Sequence, residues 1–169
     1  MVLDFKLSKT GDICDINRTT SFGEELLGSF VDAKYLAPSR VTGWYVITED
    51  NLTVSFKVDT DIQFVCDRCL EPTAKTISFE VSEVFFEKGK SPDPEAITYE
   101  NDVIDLTELM EERFLLALPM TVLCKSTCKG LCPKCGTNLN VSQCDCTFDT
   151  QIDESERKEN PFAILKDRI

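Results

Sequence analysis

Apolar and polar side chains alternate most regularly between residues 41 and 86. Val41, Trp44, Tyr45, Val46 and Ile47 form a first run rich in β-branched and aromatic residues, and Glu49-Asp50-Asn51 reads as a turn. Leu52, Val54, Phe56 and Val58 then repeat at a period of two, with Ile62, Phe64 and Cys66 in phase. A third run holds Ile77, Phe79, Val81 and Phe85, where Val84 and Phe86 read as a change of face. Three long strands joined by short turns predict an antiparallel, curled meander.

Other segments carry other periods. Residues 2–7 alternate weakly, as a strand would. Residues 21–30 suggest a short helix capped by Ser21 with Glu24 as its capping-box partner, although Gly23 and Gly28 weaken it. Residues 88–101, with Gly89, Pro92 and Pro94, read as a loop. The clearest helix spans 105–118. Asp105 is its cap, and Leu106, Leu109, Met110, Phe114 and Ala117 lie on one face, interrupted by Arg113. Pro119 ends it. Residues 147–159 read as an acidic tether. Asn160-Pro161 then opens a short helix whose Phe162, Ile164 and Leu165 can dock on the body. The expected architecture is therefore α+β: a β-rich domain over 1–119, a cysteine-rich zinc-binding segment over 120–146, and a tether with a docking helix over 147–169.

The chain has 169 residues, 42% hydrophobic, with a net charge of −12 and no histidine. An acidic surface disfavours phosphate backbones and favours basic partners. The missing histidine removes the commonest general base, the Ser/His and Cys/His dyads and the His-dependent catalytic zinc sites. No apolar run reaches the roughly 18 residues that span a bilayer. Residues 1–5 show no basic stretch leading into an apolar one, so a cytoplasmic location is the expectation.

Location matters for the nine cysteines. In a reducing compartment, closely spaced cysteines are metal ligands or redox centres more often than disulfides. Eight fall into four pairs: Cys66 and Cys69, Cys124 and Cys128, Cys132 and Cys135, Cys144 and Cys146. Cys132-Pro133-Lys134-Cys135-Gly136 has the form of a zinc knuckle, whose glycine supplies the left-handed turn that aims backbone amides at sulfur. Four pairs make two tetrahedra. The third and fourth pairs are near enough to close on each other, which leaves Cys66, Cys69, Cys124 and Cys128 as the other site. Two Zn²⁺ ions are expected. Each site would be closed by four thiolates and so structural. Cys14 is left over as a free thiol or small core residue. The competing reading of Cys66-Asp67-Arg68-Cys69 is a redox dithiol, but such motifs open a helix in a βαβ unit, and this one ends a β run. Arg68, Lys125, Lys129 and Lys134 lie among the cysteines. They either steady the thiolates or form a small basic patch for a partner or nucleic acid.

Three elements are similar to the YceD family, the large ribosomal RNA subunit accumulation proteins. They are Cys66-Asp67-Arg68-Cys69-Leu70-Glu71-Pro72, the stretch from Cys128-Lys129-Gly130-Leu131-Cys132 through Gly136-Thr137-Asn138-Leu139-Asn140, and Asn160-Pro161-Phe162-Ala163-Ile164-Leu165. The resemblance covers most of the chain from about Val41 onward. It implies a role in producing or maintaining large-subunit rRNA, without an established enzymatic activity. Three mechanisms then compete. The first is a non-enzymatic factor that binds a ribosomal or assembly protein, which the acidic balance favours. The second is direct rRNA binding through the knuckles and their four basic residues. The third is an enzyme, either a dithiol oxidoreductase or a nuclease using carboxylates such as Asp59 with Asp61 or Asp102 with Asp105. Neither a membrane nor a small-molecule substrate is expected.

Overall fold

Alternation over residues 52–64 becomes the longest feature of the fold, because every second side chain is apolar and can be buried on one face. A computed structural model describes residues 1–91 and 93–146. The tether and docking helix expected at 147–169 lie outside the described residues. In chain order the elements are β1 (Val2–Asp4), β2 (Ile13–Thr20), a 3₁₀ turn (Glu24–Leu27), β3 (Lys34–Tyr35) and β4 (Ser39–Ile47). After these come β5 (Asn51–Val65), β6 (Pro72–Glu87), β7 (Thr98–Tyr99), β8 (Val103–Asp105) and α1 (Thr107–Ala117).

The main sheet is ordered β2-β4-β5-β6-β7, with β3 also pairing β5. The β4–β5–β6 meander is antiparallel as expected, but the sheet as a whole is mixed. The short β7 runs parallel to the end of β6, pairing Phe86 with Thr98 and Glu87 with Tyr99. The chain leaves β6 through residues 88–97 and returns beside it in the same direction, a path that a period-two pattern cannot reveal. Strand β2 adds an outer strand where no long alternation is visible, because Ile13, Asp15, Asn17 and Arg18 are exposed and Ile16 alone is buried. A second, two-stranded sheet pairs β1 with β8.

One face of the sheet carries the core. From β5 it receives Leu52, Val54, Phe56, Val58, Ile62 and Phe64, and from β6 Ile77, Phe79, Val81 and Phe85, all buried. Thr60 shares this face, and its hydroxyl donates to Ser39 Oγ at 2.8 Å, so the buried polar pair satisfies itself. Helix α1 covers the face with Leu106 at its cap and Met110 and Phe114 behind it. Phe114 stacks on Phe22, their centroids 4.6 Å apart.

Several sequence expectations need correction. Residues 84–86 do not change face: Phe85 stays buried and Val84 is exposed. Glu83 holds the inward phase because Arg113 of α1 reaches it at 2.8 Å, which also explains the arginine on the apolar helix face. The segment 21–30 forms only the 3₁₀ turn, without a side-chain cap. Helix α1 starts at Thr107, with Leu106 at the cap position. Asp105 ends β8, paired with Val2, and its carboxylate accepts the Thr107 N–H at 2.9 Å.

Candidate metal centres

The β5–β6 hairpin pairs its strands as far as Val65 with Pro72. The loop between them is the first cysteine pair. Cys66 N–H donates to Glu71 O at 2.9 Å, and Leu70 N–H to Cys66 O at 2.9 Å, which rolls the loop into a knuckle. Leu70 pays for this turn with a left-handed backbone, φ 59°. The segment after α1 docks on the knuckle through a two-way clamp. Asp67 N–H donates to Val122 O at 2.9 Å, and Val122 N–H donates to the Asp67 carboxylate at 2.6 Å. Val122 is fully buried, and this anchoring brings Cys124 and Cys128 over the hairpin tip.

The sulfurs of Cys66, Cys69, Cys124 and Cys128 all lie within 4.8 Å of one another. Cys66 and Cys128 Sγ are 3.8 Å apart, and Cys69 and Cys124 Sγ 3.6 Å. All nine cysteines are free. Thiolates at about 2.3 Å from a tetrahedral zinc stand ~3.8 Å apart, so these separations fit a metal cage. Cys66, Cys69 and Cys128 are buried, with Leu123 and Leu131 packed against them.

The second group joins Cys132, Cys135, Cys144 and Cys146, again with every sulfur within 4.8 Å of the others. Its knuckle repeats the first. Gly136 N–H donates to Cys132 O at 2.8 Å, with Gly136 at φ 74°. Cys132 is buried, Cys135 exposed, and Cys144 and Cys146 half-buried.

Electrostatics within each group reflect crowded sulfur. Burial opposes the Cys66 thiolate, but backbone hydrogen bonds from Cys124, Arg68 and Cys69 outweigh it and bring the thiol down to about 6. A backbone hydrogen bond from Glu71 favours the Cys69 thiolate, yet burial and the three neighbouring thiols push Cys69 up to about 12. In the second group, the hydroxyl and backbone of Thr137 lower Cys135 to about 6. Cys146, beside Cys135, rises to about 12. Burial opposes the Cys128 thiolate too, but Asn140 and the Gly130 backbone outweigh it and lower the thiol, while burial raises Cys124. Each group therefore mixes thiols that ionise readily with thiols that resist, the behaviour of a donor set that requires a cation before all four ionise. With no histidine or carboxylate in either set, soft thiolates select ions such as zinc.

The basic residues have separate surroundings. Arg68 donates from Nη1 to Cys128 O at 3.0 Å, so it ties the two halves of the first tetrad. Lys125, Lys129 and Lys134 are exposed around the groups. Cys14 packs half-buried against the main core. Residues that spacing alone did not single out complete the surroundings: Asp67, Val122, Thr137, and above all Asn140, which donates to Cys128 Sγ at 3.3 Å. The asparagines of Asn138-Leu139-Asn140 stand within the motif of resemblance, and that was their only signal.

Comparison with known proteins agrees with these motifs. The family described as large ribosomal RNA subunit accumulation protein YceD matches residues 54–167. The large ribosomal RNA subunit accumulation protein YceD of Haemophilus influenzae is 28% identical over 149 residues, 84% of this chain and 79% of that protein. The chloroplastic YCED homolog 1 of Arabidopsis thaliana is 33% identical over 66 residues, 39% of this chain but only 19% of that longer protein. The Bacillus subtilis protein YlbN is 26% identical over 113 residues, 66% of its length. No solved structure matches the chain. Among the described residues, no helix is long and apolar enough to cross a membrane.

Proposed function

The chain belongs to the YceD family of large ribosomal RNA subunit accumulation proteins, and on that premise we propose that it is a non-enzymatic zinc protein of large-subunit production that works by binding a ribosomal or assembly protein. The observation that carries this reading is the pair of sulfur tetrads. Each offers four thiolates in a set that can surround one ion, and a zinc so enclosed keeps no open position for a water or substrate. Cys66, Cys69, Cys124 and Cys128 would hold one Zn²⁺, and Cys132, Cys135, Cys144 and Cys146 the other. Bound there, the ions cross-link the chain and supply no reaction step.

Charge favours a basic protein partner. Four thiolates and one Zn²⁺ sum to −2 at each site, so loading would take the chain from −12 to −16. Opposite charge steers association and raises on-rates. Direct binding of rRNA has less support, since Arg68 spends its guanidinium on Cys128 O. Three exposed lysines would give only weak, salt-sensitive contact with phosphates.

The test joins metal analysis to a binding assay. Purified chain should carry two zinc ions. At moderate salt it should recover a basic ribosomal or assembly protein from lysate treated with ribonuclease, and charge reversal at Lys129 and Lys134 should leave that recovery unchanged. Recovery that is abolished by ribonuclease, together with a gel shift on large-subunit rRNA that those reversals remove, would replace this reading with RNA binding. Function lost in Cys66→Ser while fold and zinc content persist would replace it with dithiol chemistry.

A further inference from the structure

The loop that closes the second tetrad also reaches the first. Residues 136–143 run from the second knuckle to Cys144, so ligands of the second tetrad bracket both ends. From its middle, Asn140 donates Nδ2 to Sγ of Cys128, a ligand of the first tetrad, at 3.3 Å. The amide is held in that orientation. Asn140 Oδ1 accepts the Lys129 N–H at 3.0 Å, and Nδ2 also donates to Asn138 Oδ1 at 3.0 Å. Asn138 in turn donates to Glu71 Oε1 at 3.3 Å, in the loop of the first knuckle. Backbone contacts seal the junction: Leu131 N–H to Arg68 O and Leu139 N–H to Gly130 O, both 2.9 Å.

We propose that the two metal sites are coupled through Asn140, so that an ion in the second tetrad strengthens the hold of the first on its own ion. This rests on the reading that both tetrads bind metal. A side-chain N–H aimed at a thiolate stabilises its negative charge and orients it, and removing such a partner typically weakens a metal site about 10–100-fold. Without the second ion, Cys144 and Cys146 are no longer tied to Cys132 and Cys135. The loop of residues 136–143 loses an anchor, and its donor amide leaves Cys128 more often. Linkage makes the effect reciprocal. Asn140 is a positioning residue here, because all four coordination places of the first site are sulfur.

The experiment compares zinc-loaded full-length chains by chelator competition, with cobalt substitution to report thiolate ligation. N140D keeps the acceptor for Lys129 but replaces the donor. It should retain two ions while the ion of the first tetrad is held about tenfold more weakly. The C144S/C146S chain should hold one ion, weakened to a similar degree. N140D added to that chain should have a smaller effect than in the intact chain, because the donor is already displaced. Coupling is overturned if the C144S/C146S chain holds its ion as tightly as the first tetrad of the wild-type chain holds its own, or if N140D acts equally in both backgrounds. C144S/C146S leaves Asn140 and the first tetrad unaltered, so its affinity decides the matter even where N140D fails to fold. A wild-type chain with fewer than two ions would instead remove the two-site reading itself.

Discussion

The two tetrads use one chemistry in opposite settings. The first gathers ligands separated by 55 and 62 residues and seals them, with Cys66, Cys69 and Cys128 buried. The second takes all four from residues 132–146 and leaves Cys135 exposed. Loop length accounts for little of the difference. Roughly two and a half doublings of the closed loop are worth only about 1.5 kcal/mol. What separates them is the structure each one ties. The first fastens the tip of the β5–β6 hairpin to the segment leaving α1, through the reciprocal Asp67–Val122 clamp. The second shapes a local loop. Identical donor sets therefore differ in worth according to how much of the fold each joins.

The largest contrast should come from removing one ligand of each. Cys66→Ser should cost at least about 4 kcal/mol, roughly 10 °C in thermal midpoint, because the hairpin tip loses its tie. Cys135→Ser should cost only about 1–2 kcal/mol, within the range of ordinary substitutions. Equal midpoints by circular dichroism would erase the distinction. A smaller effect should appear in metal-free protein. The Cys66 and Cys135 thiols both fall to about 6, so acidity does not separate them and access does. Cys135 should react with iodoacetamide on the order of tenfold faster, followed by mass spectrometry. Equal rates would mean that the first knuckle opens once its metal leaves. The smallest contrast concerns two glycines in the left-handed region. A Cβ on Gly136, at φ 74°, meets nothing within 4 Å, whereas one on Gly130, at φ 77°, would sit 3.0 Å from Arg68 O. Gly136→Ala should cost ~1 kcal/mol from backbone conformation alone. Gly130→Ala should cost ~1 kcal/mol more, because it pries the two knuckles apart. Denaturant midpoints read the difference, and equal values would mean that the junction is soft.

The period-two runs made the meander legible because β5 alternates cleanly over most of its 15 residues. Strand β2 was hidden, since it buries Ile16 and little else. The parallel β7 depends on where a loop returns, which no local pattern encodes. At the candidate sites, the partition of cysteines followed from spacing, because pairs eight residues apart can close locally and a distant pair needs the remaining one. Asn140 could not be read that way. Its role depends on two loops meeting in space, and an asparagine in a turn already has an ordinary explanation.

The separation of Cys66 and Cys128 by 62 positions along the chain also sets a schedule. During synthesis the hairpin and its dithiol emerge well before the thiols that complete the cage. At ~5–20 residues per second the wait is roughly 3–12 s. Until then the nascent chain presents half a site, which can hold an ion only weakly. On the proposed reading, full retention of metal at this position would mark a chain made through Cys128, so a product stopped before that residue would be distinguished by its failure to keep the ion.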